Sequence, residues 1–157
     1  MSNVINESGI LAISTRLQRL ADTLRKDGQL IYKAHGIEFE PKWFPVIYTL
    51  YYKETMSVME IAAGIGYTHP STISLLKELE KQKLIRSRKD KRDERKRLLT
   101  LSEKGQELVQ QMLPVWKRME KALTALTNTA NNLMAAIEEV EAQMEVKGFY
   151  ERERGIR

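Results

Sequence analysis

Hydrophobic residues recur at intervals of three and four along most of the chain, a spacing that predicts amphipathic helices. The first predicted helix runs from about Ser8 to Ala34, and the second from about Lys42 to Lys53. The apolar stripe of the first helix is longer than a small core can cover, so we expect another surface to pack against it. Its members are Ile10, Leu11, Ile13, Leu17, Leu20, Leu24, Leu30 and Ile31.

A helix-turn-helix pattern follows these two helices. Ser57 is a favoured N-cap residue, and Glu60 three positions later can complete a capping box. Gly64 and Gly66 permit a tight turn, after which Thr68 is the predicted N-cap of a helix that runs to about Gln82. Two helices joined by so short a turn are typical of DNA-binding proteins.

The second helix of this pair has the character of a recognition helix. Ile73, Leu76 and Leu79 are predicted to point toward the core. The other positions, on its outer side and leading end, lie where a recognition helix contacts base edges. These candidate DNA-binding residues are His69, Ser71, Thr72, Ser74, Leu75 and Lys77. For His69, simple exposure to solvent is the alternative.

The pattern then changes to two short extended segments, 84–89 and 95–101, joined by the charged turn DKRDE. This arrangement predicts a β-hairpin. Ser102 is the predicted cap of a long helix, and a last helix follows a break near 127–132. We expect the tail KGFYERERGIR to be frayed.

Positive charge is concentrated between His69 and Leu101. That segment carries eleven basic and five acidic residues, a net charge of +6, whereas the whole chain carries +5. Such a patch suits binding to a phosphate backbone, because each neutralised phosphate releases condensed counterions. A solvated charged surface is the alternative interpretation. The candidate DNA contacts on the hairpin are Arg88, Lys91, Arg92, Arg95 and Arg97.

Several classes of function are excluded or disfavoured. The chain has no cysteine, which excludes disulfides, thiolate catalysis and sulfur-ligated zinc. No apolar run reaches the ~18 residues of a membrane span and no signal peptide is visible, so we expect a cytoplasmic protein without a membrane partner. No nucleophile with an adjacent base is visible, so neither an enzyme nor a cofactor is predicted. His35 beside Glu38 and Glu40 is interpreted as an ordinary helix-end histidine, with no metal.

The order of the predicted elements and the hairpin sequence DERKRLLTLSEKG resemble the MarR family of bacterial transcription regulators. The hairpin looks like the family's D-x-R wing followed by its L-T-x-x-G helix start. The residues that carry this likeness are Asp93, Arg95, Leu98, Leu99, Leu101, Ser102 and Gly105. The resemblance covers most of the chain. It implies a mainly α fold with a small β-hairpin wing, a winged helix-turn-helix with N- and C-terminal dimerisation helices.

The resemblance also implies an organisation for the chain. A single MarR-like domain would occupy residues 1–157 and act as a homodimer. Residues 8–35 and 106–148 would form the dimerisation helices, and residues 42–105 the DNA-binding lobe. Asp93 would stabilise the wing.

The family's wing arginine corresponds to Arg95, which by resemblance either enters the minor groove or stabilises the wing through Asp93. A weak surface ion pair is the alternative. The chain departs from the family at two positions. Leu75 stands where many members carry a basic or polar residue, and it could contact only a thymine methyl. Lys83 replaces the usual glycine after the recognition helix. The helix must therefore end either with a lysine in the left-handed conformation, which costs more free energy than glycine, or with a different kind of cap.

Members of the family often bind small phenolic or other amphipathic effectors in a crevice between the dimer helices and the DNA-binding lobe. Aromatic residues of the second helix would lie near such a crevice, although aromatics at helical spacing also suit a buried core. The candidate effector-pocket residues are Trp43, Tyr48, Tyr51, Tyr52 and His35.

These observations predict a sequence-specific regulator that binds double-stranded DNA, and the family bias favours a repressor. Two recognition helices would enter successive major grooves about 34 Å apart on a pseudo-palindromic site. One alternative is a helical dimeric scaffold for protein interactions without specific DNA binding. Another is an enzyme that uses the aromatic crevice, and the lack of an acid-base pair argues against it.

Overall fold

The computed structural model of the protein describes residues 3–157. They form two compact units, one ending at Val115 and the other running from Trp116 to Arg157. The predicted mainly helical fold with a small β-hairpin is confirmed. Within residues 3–157, no helix is both long enough and apolar enough to cross a membrane. The single domain over residues 1–157 stays a prediction.

The N-terminal segment is less regular than the helix predicted from Ser8. A short helix α1 (Val4–Glu7) and a 3₁₀ turn (Gly9–Ala12) precede the long helix α2 (Ile13–Ala34). The predicted start was wrong because Gly9 adopts a φ of +63°, which interrupts the helical backbone. Most apolar side chains of α2 remain exposed on this unit.

Helix α2 ends as predicted, with Gly36 just beyond it at a φ of +70°. A 3₁₀ turn (Pro41–Trp43) leads into helix α3 (Phe44–Lys53). Helix α3 therefore lies where the second helix was predicted, but it begins two residues later than predicted. One face of α3 is fully buried and forms the centre of the core; its residues are Val46, Ile47 and Leu50.

Strand β1 (Met56–Ser57) precedes the helix pair α4 (Val58–Ile65) and α5 (His69–Lys81), and strands β2 (Ile85–Lys89) and β3 (Arg97–Leu101) follow it. The three strands form an antiparallel sheet in the order β1-β3-β2. Strand β1 was not predicted, because two residues are too few for an alternating pattern to appear. The register pairs Met56 with Leu99, Ile85 with Leu101 and Lys89 with Arg97.

Helix α6 (Glu103–Leu126) completes the core of the first unit with one buried face. This core is built from elements far apart in the sequence, which meet around α3. Its side chains with almost no exposed surface are Val46, Ile47, Leu50, Ile61, Leu79, Leu99, Val109 and Met112. The helix-turn-helix and the wing thus share one continuous hydrophobic core.

The second unit contains helices α7 (Leu133–Val146) and α8 (Phe149–Arg154). The expected frayed tail was wrong, because α8 is tied to the end of α7. The guanidinium of Arg152 donates to the carbonyl of Gln143 at 3.0 Å and to that of Lys147 at 2.8 Å. None of the residues from 116 to 157 is buried, so this unit has no closed core of its own.

Candidate nucleic-acid interface

The turn between α4 and α5 is fixed by side-chain caps at both helix starts. Ser57 and Glu60 form the predicted capping box, in which the Ser57 N–H donates to the Glu60 carboxylate at 2.7 Å. This bond, made to the charged form, lowers the pKa of Glu60, and the nearby Lys96 ammonium acts in the same direction. Gly66 ends α4 at a φ of +72°, and the Thr68 hydroxyl accepts from the Ser71 N–H at 3.3 Å.

Helix α5 presents a narrow polar face to solvent. His69, Ser71, Ser74 and Lys77 are all exposed, as predicted for residues of a recognition helix. They occupy the leading end and one stripe, since positions three apart lie on the same side of a helix. These four side chains are the candidate DNA-binding residues of α5 that are exposed to solvent.

Thr72 and Leu75 were predicted on the outer side of α5, and that placement was wrong. Thr72 has 0% of its surface exposed and Leu75 has 8%. The Thr72 hydroxyl donates to the carbonyl of Thr68 at 2.9 Å, so it is already satisfied within the helix. Positions 72, 75, 76 and 79 form one helical stripe, and the core covers the whole of it. Leu75 is therefore a packing residue.

The end of α5 is held by the start of α6. Lys83 adopts the left-handed φ of +60°, which is the first of the two alternatives that the sequence left open, and the Leu84 N–H donates back to the Leu79 carbonyl at 3.1 Å. The Ser102 hydroxyl donates to the Lys83 carbonyl at 2.6 Å. A Cβ on Gly105 would lie 2.1 Å from the Leu84 oxygen, so only glycine fits there. These contacts hold the C-terminal end of the recognition helix in place.

The tip of the wing is organised by two aspartates. The Asp90 carboxylate accepts from the Arg92 N–H at 2.9 Å, and the Asp93 carboxylate accepts from the Arg95 N–H at 3.1 Å. The Lys96 N–H donates to the Asp93 carbonyl at 2.9 Å. Such side-chain bonds to the next backbone amides are a standard way to shape a turn. Asp93 therefore contacts the main chain of Arg95, which leaves the guanidinium exposed.

The wing displays most of its cations to solvent. Arg88, Lys91, Arg92 and Arg95 are exposed, and the Arg97 guanidinium donates to the Ser87 hydroxyl on the neighbouring strand. Arg97 is thus partly engaged in holding β2 and β3 together. Further exposed cations that the sequence prediction left out are Arg86, Lys89 and Lys96. Their membership of the same charged run was the signal that could have included them.

A groove separates α4 and α5 from the wing. It is lined by Glu60 of α4, His69 and Lys77 of α5, and Arg95 and Lys96 of the wing. The structure therefore brings the polar end of the recognition helix and the basic wing tip to one surface. Cations at both borders of a groove can contact phosphates on either side of a nucleic-acid groove.

The residues of the predicted effector pocket do not form one cluster. Trp43 is buried, and its ring contacts Phe39 edge-on with centroids 5.6 Å apart. Tyr48 and Tyr52 instead lie in an exposed row on α3, with ring centroids 4.7 Å apart. The hydrogen bond that Tyr52 makes with Tyr48 raises the pKa of Tyr52, because it favours the neutral phenol. Tyr51 is half-buried beside Tyr52, and His35 is exposed beyond the end of α2.

Comparisons with known proteins support this architecture. The MarR family model matches residues 35–96. The DNA complex of MOSR from M. tuberculosis is similar in structure, with a TM-score of 0.72, 19% identity, and coverage of 85% of this chain and 96% of that one. The DNA complex of S. aureus MepR has a TM-score of 0.68, 18% identity, and coverage of 84% and 96%. A search among curated proteins finds no significant sequence match.

A ligand-bound regulator has the same fold. The PcaV transcriptional regulator from Streptomyces coelicolor, solved with its natural ligand, has a TM-score of 0.66, 16% identity, and coverage of 94% of this chain and 99% of that one. The fold and the site therefore define a winged helix-turn-helix protein. The resemblance to the MarR family is confirmed, and residues 35–96 carry the family's sequence pattern.

Proposed function

We propose that this protein is a sequence-specific transcription regulator that binds double-stranded DNA as a homodimer. The observation that carries the proposal is the groove in which His69 and Lys77 of α5 face Arg95 and Lys96 of the wing. The structures of MOSR and MepR show proteins of this fold in complex with DNA. These features agree best with a regulator that acts in the cytoplasm, and they do not suggest an enzyme.

The DNA contacts divide between the helix and the wing. Ser71, Ser74 and Lys77 read base edges in the major groove, and His69 contacts a phosphate or a base at the helix start. Arg95 enters the adjacent minor groove, where a guanidinium is attracted to the negative potential. The wing residues Arg88, Lys91 and Arg92 contact phosphates, and Arg97 contributes its charge while bonded to Ser87.

We infer the homodimer from large apolar side chains that a single chain leaves exposed to solvent. On α2 these side chains include Leu17, Leu20 and Leu30, and on α7 they include Met134, Val140 and Met144. Soluble proteins seldom expose so many large apolar groups on successive helical turns, so a second copy covers them. A two-fold dimer then presents its recognition helices to two half-sites about 34 Å apart on a pseudo-palindromic operator.

Release from DNA by a small aromatic or amphipathic effector is the proposed control. The exposed row on α3 supports this idea, since Tyr48 and Tyr52 offer ring faces together with hydroxyl groups. Tyr51 and His35 complete the candidate site, and Trp43 belongs to the buried aromatic cluster instead. We further propose that the protein is a repressor, so that effector binding would switch transcription on.

Selection from a randomised duplex library tests the proposal. The bound fraction is sequenced after selection at two salt concentrations, because six to ten phosphate contacts predict a loss of roughly 10³ to 10⁵ in affinity between 50 and 200 mM salt. An enriched inverted repeat with half-sites about one helical turn apart is the expected result. Weak and salt-insensitive binding with no enriched motif would instead favour a dimeric scaffold for protein interactions.

A further inference from the structure

A charged and aromatic cluster links the connector before α3 to the recognition helix. The Trp43 indole donates its Nε1–H to the Glu78 carboxylate at 3.0 Å, across 35 positions of sequence. The Lys42 ammonium lies 2.9 Å from the same carboxylate oxygen and 3.2 Å from the carboxylate of Glu40. Glu78 therefore has two partners on one segment, and both belong to the turn that leads into α3.

Glu78 is well placed to influence DNA reading. It directly follows Lys77 of the exposed face and directly precedes the fully buried Leu79. Its side chain therefore leaves α5 at the border between the core and the polar face. The bond to an indole N–H and an ammonium is charge-assisted, and it is stronger and more directional than a neutral contact.

The cluster continues from Trp43 to helix α2. Trp43 contacts Phe39 edge-on with centroids 5.6 Å apart, and Phe39 contacts Tyr32 of α2 in the same manner at 4.9 Å. All three rings have 7% or less of their surface exposed. Edge-on aromatic contacts in a packed interior allow little rotation of any member. A continuous series of contacts thus joins α2, the connector and α5.

The buried stripe of α5, which includes Leu76 and Leu79, fixes which side of the helix faces the core. Directional hydrogen bonds further restrict small rotations about the helix axis. Directional bonds hold the two ends of α5, at Thr68 and at Lys83. In the last turn of α5, the half-buried Glu78 adds directional bonds to Trp43 and Lys42.

We propose that Glu78 is a positioning residue, whose bond to Trp43 sets the rotation of α5 and thereby the specificity with which Ser71, Ser74 and Lys77 read bases. The inference rests on the proposed function, because it concerns the same DNA interface. It assigns to the buried Trp43 a role in orienting the recognition helix. The Lys42 ion pair orients the Glu78 carboxylate toward the indole and contributes less by itself, since its side chains are partly exposed.

The test compares the ratio of operator affinity to random-duplex affinity in matched variants. Glu78→Ala removes the bond, and Trp43→Phe keeps the ring while removing the N–H donor. Both should lower the ratio about tenfold, while the affinity for random duplex and the salt slope stay unchanged. Glu78→Gln keeps an oxygen acceptor for the indole and should restore most of the ratio. Glu107→Ala, which removes a charge from an exposed position on α6, is the control.

A double variant separates positioning from a general loss of stability. If Glu78 and Trp43 act through one bond, Glu78→Ala combined with Trp43→Phe should lower the ratio no further than either change alone. All variants are compared at a temperature where unfolding measurements show them fully folded, so a purely structural role would leave the ratio unchanged.

The possible outcomes are distinct. An unchanged ratio in Glu78→Ala, with operator selection by the wild-type protein intact, would overturn the positioning role and leave the proposed function standing. An equal loss in Glu78→Gln and Glu78→Ala would show that charge rather than the indole bond matters, which also overturns it. A wild-type protein that selects no operator at all would overturn the proposed function and this inference with it.

Discussion

The hydroxyl of Ser102 donates a 2.6 Å hydrogen bond to the carbonyl of Lys83, which joins the residue before α6 to the second residue after the recognition helix. The same hydroxyl accepts from the Gly105 N–H at 3.0 Å and so caps α6. One buried side chain thus serves two helix ends. The Lys104 ammonium adds a bond to the Gln82 carbonyl at 3.0 Å.

Replacing Ser102 should weaken both helix ends at once. Ser102→Ala is expected to cost about 1 to 2 kcal/mol, because it removes an N-cap and leaves the Lys83 carbonyl without this donor. Denaturant unfolding measures the change as a shift of the midpoint at constant slope. Ser102→Thr retains a hydroxyl and should lose less. Equal losses in the two variants would show that the hydroxyl bonds do not matter.

Gly105 should tolerate no side chain. The added Cβ of Gly105→Ala would lie 2.1 Å from the Leu84 oxygen, so the backbone must shift, at a cost of about 1 to 3 kcal/mol. Gly64→Ala is the matched control, since no atom lies within 4 Å of its added Cβ. In α4 that change should stabilise the protein by about 0.5 to 1 kcal/mol. Thermal unfolding of the pair should shift in opposite directions.

Lys83→Gly should stabilise the protein by about 1 kcal/mol, since a left-handed φ of +60° strains lysine and not glycine. Lys81→Gly removes the same charge from the last turn of α5, where glycine should cost about 1 kcal/mol. Urea unfolding midpoints distinguish the two variants. A destabilised Lys83→Gly would mean that the lysine side chain makes a contribution larger than the backbone strain.

Three alanine substitutions should separate wing binding in the minor groove, base reading by α5 and packing. Arg95→Ala should weaken binding to all sequences, Ser71→Ala should alter preference at one base position, and Thr72→Ala should reduce stability by about 1 kcal/mol with the preference intact. Affinity against a panel of single-base operator variants measures the first two effects, and thermal unfolding measures the third. A changed preference in Thr72→Ala would contradict its burial within the helix.

The Glu78 cluster should respond to acid. The Lys42 ammonium, and after it the Trp43 indole, lowers the pKa of Glu78. A carboxyl group whose pKa is lowered on folding stabilises the protein above its unfolded pKa of about 4.3, and this contribution disappears as pH falls through the lowered value. Lys42→Met should therefore reduce the melting temperature at pH 7 and have a smaller effect near pH 3.

The matched control for this pH dependence is Lys121→Met, which removes a charge from an exposed position on α6. Its effect on the melting temperature should be small and should show no step in the acid range. A Lys42→Met effect of the same size at both pH values would mean that Glu78 is not the group responsible.

Local sequence signals predicted the DNA-binding lobe well. Ser57 with Glu60, Thr68 and Ser102 mark helix starts by chemistry that acts within three or four residues, and each was found where predicted. The left-handed Lys83 was one of two helix endings that the sequence allowed, and the structure selects it. The predicted helix start at Ser8 and the predicted frayed tail were wrong. The positive φ of Gly9 and the hydrogen bond of Arg152 to Gln143 cause these differences, and the spacing of apolar residues indicates neither of them.

The order of the main helices and the wing, the helix caps and the concentration of positive charge could be predicted from the sequence, because they depend on neighbouring residues and on composition. Which side of α5 is buried depends instead on tertiary packing. Thr72 and Leu75 lie inside because elements distant in the sequence close over them, and no local periodicity specifies where those elements pack. The bond between Trp43 and Glu78 has the same origin, since packing alone brings together residues that lie 35 positions apart.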